Sequence, residues 1–140
     1  MNGKYFIDTN VFVYSFANDQ PAKQERSMDL IQGGMQSSLG IISTQVIQEF
    51  FNVATRKFAI PMKPEDGKVY LRLVMNPLCQ IYPDLSLYET CLDLQAETGY
   101  SFYDSLILSA AIRGECDFLY SEDLHDGQDI HGVQIINPYR

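Results

Sequence analysis

The sequence predicts an α/β fold: a three-layer α/β/α sandwich around a mainly parallel sheet of five strands. Three observations carry this. Short apolar runs rich in β-branched and aromatic residues alternate with longer amphipathic stretches. Turn and helix-start residues follow the first runs closely. Strands read as continuous apolar runs rather than alternating ones, as in a sheet covered on both faces.

Residues 4–7, "KYFI", form the first strand candidate, and Asp8, Thr9 and Asn10 follow as helix-start residues. A short helix is expected from about Val11. Residues 21–37 read as a helix with proline at its start and Met28, Leu30, Ile31 and Met35 facing inward; Gly33-Gly34 weakens its end. "GIIS", residues 40–43, is the second strand. Ile47, Phe50, Phe51, Ala54 and Phe58 then make an apolar stripe at helical spacing. Residues 64–76 read as one further helix, ended near Pro77.

"CQIY", residues 79–82, is the third strand. The helix after it is expected to start at a Ser86 cap and to end at Gly99. "SFYDSLILSAAIRGE" is small and apolar almost all round, so it predicts a buried helix. Residues 117–121 and 133–136 complete the strands, with a polar loop between them. No repeat, linker or low-complexity tract interrupts the pattern, which predicts a single domain over residues 1–140.

Composition narrows the class. The chain has 140 residues, 46% hydrophobic and 20% charged, ordinary for a soluble globular domain with a real core. No apolar run nears the ~20 residues of a membrane helix. An acid precedes any signal-peptide core, which predicts a cytoplasmic protein. Cys79, Cys91 and Cys116 are odd in number and lack close spacing, so they read as core hydrophobes. His125 and His131 lack the spacing of a zinc site. The net charge of −8 argues against a protein that coats nucleic acid electrostatically, unless its acids cluster around metal ions.

The acids repay a closer reading. In a parallel sheet, functional groups gather beyond the C-terminal ends of the strands. Asp8, Glu49, Asp104, Glu122, Asp123 and Asp126 are the acids the pattern brings to that rim. Each has a bland reading. Asp8 caps a helix, Glu49 is solvated, Ser101 and Asp104 make a capping box, and "SEDLHDGQD" is an acidic loop. Yet "YFIDTNVF" and "SFYDSLIL" embed Asp8 and Asp104 in apolar surroundings with no Lys or Arg nearby in sequence. An ionised carboxylate there needs a partner. Several at one rim repel one another, and a divalent cation resolves the conflict. Carboxylate oxygens suit Mg²⁺ or Mn²⁺ and phosphodiester chemistry. Lys23, Arg26, Arg56, Lys57, Lys63, Lys68 and Arg72 are candidates for one patch meeting the phosphates of a nucleic acid.

The pieces "FIDTNVFVY", "QEFFNV", "YDSLILSAA" and "YSEDL", in that order, resemble the PIN domain family over essentially the whole chain, and the closing "INPY" is similar to the end of many bacterial members. The resemblance implies a Mg²⁺- or Mn²⁺-dependent ribonuclease. Small members are often toxins of VapC type, inhibited by a cognate antitoxin and commonly homodimeric. By position, the acidic quartet is Asp8, Glu49, Asp104 and Asp123, with Asn10 and Ser121 in support and Asp126 as a further supporting candidate. Asp123 is preferred to Glu122 because the family places its acid two residues after a Ser or Thr. The alternative is a non-catalytic RNA-binding or phospho-acceptor module on the same scaffold. A receiver or haloacid-type phosphatase wants further acids or a lysine where this chain has Thr9, Asn10 and Asn137-Pro138-Tyr139.

Overall fold

The computed structural model describes residues 3–140. Its sheet has six strands: β1 (Tyr5–Ile7), β2 (Gly40–Ser43), β3 (Cys79–Ile81), β4 (Phe118–Tyr120), β5 (Asp129–Ile130) and β6 (Val133–Ile136). Their order is β3-β2-β1-β4-β6-β5. The five expected strands are mutually parallel. The sixth, β5, lies in the stretch expected to be a loop. Asp129–Ile130 folds back antiparallel on β6 through His131 and Gly132, both at positive φ (52° and 88°). Two consecutive left-handed residues match the twist of a tight hairpin. A two-residue strand is too short to leave a periodic trace.

Helices cover both faces of the sheet, and two close contacts show it. α2 (Pro21–Ser37) comes so near β2 that a Cβ on Gly40 would lie 2.6 Å from the Cα of Gly34. On the next residue, Ile41, the side chain packs where a Cβ on Gly114 would stand, just past α7 (Phe102–Arg113). Successive strand residues point to opposite faces, so α2 and α7 flank the sheet. All four β2 residues are accordingly buried. Gly33-Gly34 does not end α2; Gly34 lets the helix approach, and the helix runs on to a left-handed Ser38 (φ 61°).

Phe6, Ile7, Ile41, Ile42, Leu119 and Ile135 fill the centre of the core, each 0% exposed. A second layer is aromatic. Phe50 on α3 (Thr44–Ala54) touches Phe12 on α1 (Thr9–Tyr14) at 6.4 Å between ring centroids, Phe16 at 5.8 Å and Tyr70 at 5.2 Å. Such pairs add to simple burial and fix α1 against α3. The single helix expected over 64–76 divides into α4 (Pro64–Tyr70), a π turn at Leu71–Met75 and α5 (Asn76–Leu78). Pro77 has no N–H to give a carbonyl one turn back, and the Asn76 N–H reaches Leu71 O, five residues back.

α6 (Leu85–Thr98) is capped two residues earlier than expected. The Leu87 N–H donates to the Asp84 carboxylate at 2.8 Å, and Arg113 pairs with the other Asp84 oxygen at 2.7 Å. Both contacts hold the Asp84 carboxyl below its ordinary range, Arg113 first. Ser86 is a residue within the helix, and Gly99 ends it at φ 78° as expected. The three cysteines are buried and unbridged.

Two substitutions check this architecture by thermal unfolding. Gly40→Ala forces backbone against backbone and is expected to cost about 1–3 kcal/mol, as overpacking does; an unchanged midpoint would refute the close approach. Asp84→Ala is expected to lower the midpoint while Ser86→Ala leaves it in place, and the reverse order would return the cap to Ser86.

Candidate acidic site

The sheet order reverses between β1 and β4, and the site lies there. Ile7 pairs with Tyr120, so Asp8 and Ser121 leave the two strands side by side. The Asp8 N–H donates to Tyr120 O at 3.1 Å, which carries the pairing one residue further. Asp8 is also the N-cap of α1: one carboxylate oxygen accepts the Thr9 N–H at 2.7 Å. The other accepts the Ser121 hydroxyl at 2.8 Å. Capping and site membership coexist in one side chain because its two oxygens face different ways.

Asp8 is only 6% exposed. Burial pushes its carboxyl up from an ordinary 3.8 to about 7. The Ser121 and Thr9 hydrogen bonds oppose that rise, while the negative charges of Glu49 and Asp123 reinforce it. No cation offsets it: the pocket it enters is lined by no Lys or Arg.

Glu49 reaches the same pocket from α3. It accepts the Thr9 hydroxyl at 2.6 Å and a Gln45 amide N–H at 3.1 Å. Gln45 sits one turn before it and also donates to Tyr103 O at 3.0 Å, tying α3 to the start of α7. Asp104 comes from the first turn of α7, where its N–H donates to the Ser101 hydroxyl at 3.1 Å, the expected cap. Asp123 comes from the loop after β4 and sits at the rim. It accepts an Asn10 amide N–H at 2.8 Å, and its own N–H donates to the Ser121 hydroxyl at 3.3 Å. Partial burial raises its carboxyl, and the charges of Asp104 and Glu122 raise it further.

Asp8, Glu49, Asp104 and Asp123 thus line one cavity of about 290 Å³, with Thr9, Asn10, Asn52, Val53 and Ile107 completing the wall. They share a pocket without closing into a ready-made ligand sphere. Among the described residues no three His, Cys, Asp or Glu side chains stand at metal-holding spacing. The donor chemistry, all carboxylate oxygens with a buried member destabilised as an anion, fits a hard divalent cation.

Asp126, a further supporting candidate, does not line the pocket. Its carboxylate accepts the Asn137 N–H at 2.7 Å and lies 4.0 Å from Arg140, so it anchors the C-terminal tail. The seven basic residues are not engaged alike. Lys23 pairs with Glu122 at 2.7 Å, and Arg26 donates to Pro138 O at 3.1 Å. Arg56, Lys57, Lys63, Lys68 and Arg72 are exposed and lie in the segment following α3. Glu122 is drawn away from the acids by Lys23 and by the Tyr14 hydroxyl at 2.6 Å, which leaves Asp123 as the acid of that loop in the pocket. Sequence reading missed Thr9, Gln45 and Asn52. Gln45 and Glu49 at i, i+4 on one helix was the available signal; Thr9 offered none beyond its place beside Asp8.

The PIN domain model matches residues 5–125. No curated protein matches the chain. Among solved structures, the fold is similar to a chain of a toxin–antitoxin complex from Klebsiella pneumoniae, with a TM-score of 0.70 at 17% identity, covering 97% of this chain and 98% of that one. It is similar to a chain of DNA-bound VapBC from Salmonella typhimurium, with a TM-score of 0.64 at 21% identity, covering 94% and 96%. It is also similar to VapC20 of Mycobacterium tuberculosis, a sarcin–ricin-loop-cleaving toxin, with a TM-score of 0.61 at 17% identity, covering 86% and 90%. At these identities the structures speak for the shared fold. The family model spans most of the chain, and the chain belongs to the PIN domain family.

Proposed function

We propose that the chain is a Mg²⁺- or Mn²⁺-dependent endoribonuclease, the toxin of a VapBC-type toxin–antitoxin module. One observation carries the reading: in a PIN domain chain, four separate elements deliver four carboxylates to one pocket that holds no countercharge. Solved structures of like fold include toxin–antitoxin complexes and a toxin that cleaves the sarcin–ricin loop, which supports RNA as substrate and an antitoxin protein as partner. A single domain over 1–140, a homodimer and a cytoplasmic location belong to the same reading. Among the described residues no helix is long and apolar enough to cross a membrane.

Asp8, Glu49, Asp104 and Asp123 would hold the ion. When bound, it supplies positive charge and Lewis acidity for phosphodiester hydrolysis. The chain's own work is to fix the carboxylates beforehand. Ser121 and the Thr9 N–H hold Asp8 in one orientation, and the Thr9 hydroxyl with Gln45 holds Glu49. Asn10 holds Asp123. Outer partners of this kind keep metal ligands oriented.

Asp8→Asn and Asp104→Asn are expected to lower Mn²⁺-dependent cleavage of single-stranded or structured RNA by more than about a hundredfold, beyond the cost of losing an outer partner. Unchanged cleavage would show that the site is wrong, and growth arrest on expression should vanish in the same variants. Stability should move the other way. The Asp8 carboxyl is raised when folded, so its ionisation opposes folding increasingly as pH climbs from about 4 to about 7. Without metal at pH 8, Asp8→Asn is expected to unfold at a higher temperature than wild type, by an amount on the order of a few kcal/mol. The gap should shrink at pH 5. Mg²⁺ or Mn²⁺ should raise the wild-type midpoint more than that of Asp8→Asn, and an equal rise in both would remove Asp8 from the ligand set.

A further inference from the structure

A second groove follows the acidic pocket along the chain of α1 and α3. Asn10 on α1 and Val53 on α3 belong to the walls of the acidic pocket. One turn past these two residues, Val13 and Lys57 line an open cavity of about 610 Å³. The Lys57 N–H donates to Val53 O at 2.7 Å, which keeps Lys57 in register with the wall it extends. Phe16 (38% exposed) and Ile60 (85% exposed) give this groove apolar surface.

Charge singles out the same place. Lys57 is the only cation among the residues lining the two cavities. It makes no ion pair among the described residues, with Asp19, the acid lining the same groove, included. Residues 55–75 hold five basic and two acidic residues, whereas the other 119 hold five basic and sixteen acidic. A polyanion approaching the carboxylates is repelled by most of the surface and attracted along this segment.

We infer that the groove is a subsite for a nucleotide flanking the scissile phosphate of a single-stranded RNA, with Lys57 on its phosphate and Phe16 and Ile60 against its base. An unstacked base needs an apolar platform, and its phosphate needs a free cation; the groove sets both about two helical turns past the carboxylates, Lys57 beyond Glu49 and Phe16 beyond Asp8. A duplex keeps its bases stacked and cannot use the platform. The inference rests on the ribonuclease reading above.

The test is steady-state cleavage of a labelled single-stranded oligoribonucleotide with Mn²⁺. Lys57→Gln is expected to raise KM about fivefold with kcat near wild type, the effect of one lost phosphate contact. The salt dependence of log kcat/KM should become shallower by about 0.7. Lys57→Arg should restore both. Ile60→Ser, a change at an exposed position, should raise KM and keep the salt slope, which separates the base contact from the phosphate contact. An active wild type matched by Lys57→Gln in KM and salt slope overturns the subsite alone and assigns the groove to something other than RNA. A wild type that cleaves no RNA with Mn²⁺ overturns the ribonuclease reading, and the subsite with it.

Discussion

The structure is organised around a carboxylate that has no cation to meet. Asp8 ends the central strand, is 6% exposed, and is held by a serine from the neighbouring strand's end and by the backbone of its own helix. Those two hydrogen bonds lower the cost of the buried charge without cancelling it, since burial still lifts the carboxyl to about 7. A stability-optimised fold would put a neutral residue there. Keeping the acid trades stability for chemistry, and strain of this sort collects at functional sites. The parallel pairing of β1 with β4 fixes its geometry, so the centre of the sheet and the centre of the site are one feature.

The other acids depend on how firmly helices are set against that sheet. α3 carries Glu49, and the aromatic cluster about Phe50 locks α3 to α1, which carries Thr9 and Asn10. α7 carries Asp104, and Gln45 bridges α3 to it through Tyr103 O. The Lys23–Glu122–Tyr14 contacts hold the loop that presents Asp123. Each carboxylate therefore stands on an element whose own packing is settled. The scaffold's own packing brings the four acids to one pocket.

Charge is distributed to match. The pocket is lined by four acids and the chain's net charge is −8, while five of its ten Lys and Arg residues lie in the segment following α3. A segment richer in cations than the rest attracts an anionic polymer where the remaining acidic surface repels it. The acidic pI of about 4.5 is thus compatible with a polyanionic ligand.

Much was legible beforehand. Apolar runs and helical stripes, set by local periodicity, placed five parallel strands and most helices. Asp8, Glu49, Asp104 and Asp123 were readable because a carboxylate beside apolar residues, at a strand end or in a helix's first turns, is conspicuous in a one-dimensional pattern. Local detail slipped where several residues offered the same chemistry, as with Asp84 and Ser86, or where an element was as short as β5. The tertiary structure alone decided who meets whom. Ser121 lies 113 residues from Asp8, and Lys23 lies 99 from Glu122. Whether Asp126 enters the pocket or ties down the tail depends on contacts with Asn137 and Arg140. Such pairings follow from strand order and helix docking, which local propensity does not encode. The sequence by itself determined which groups could do the chemistry, because residue type and local pattern are local properties. Only the folded chain determined which of them share a pocket and which are held away from it, because proximity is not.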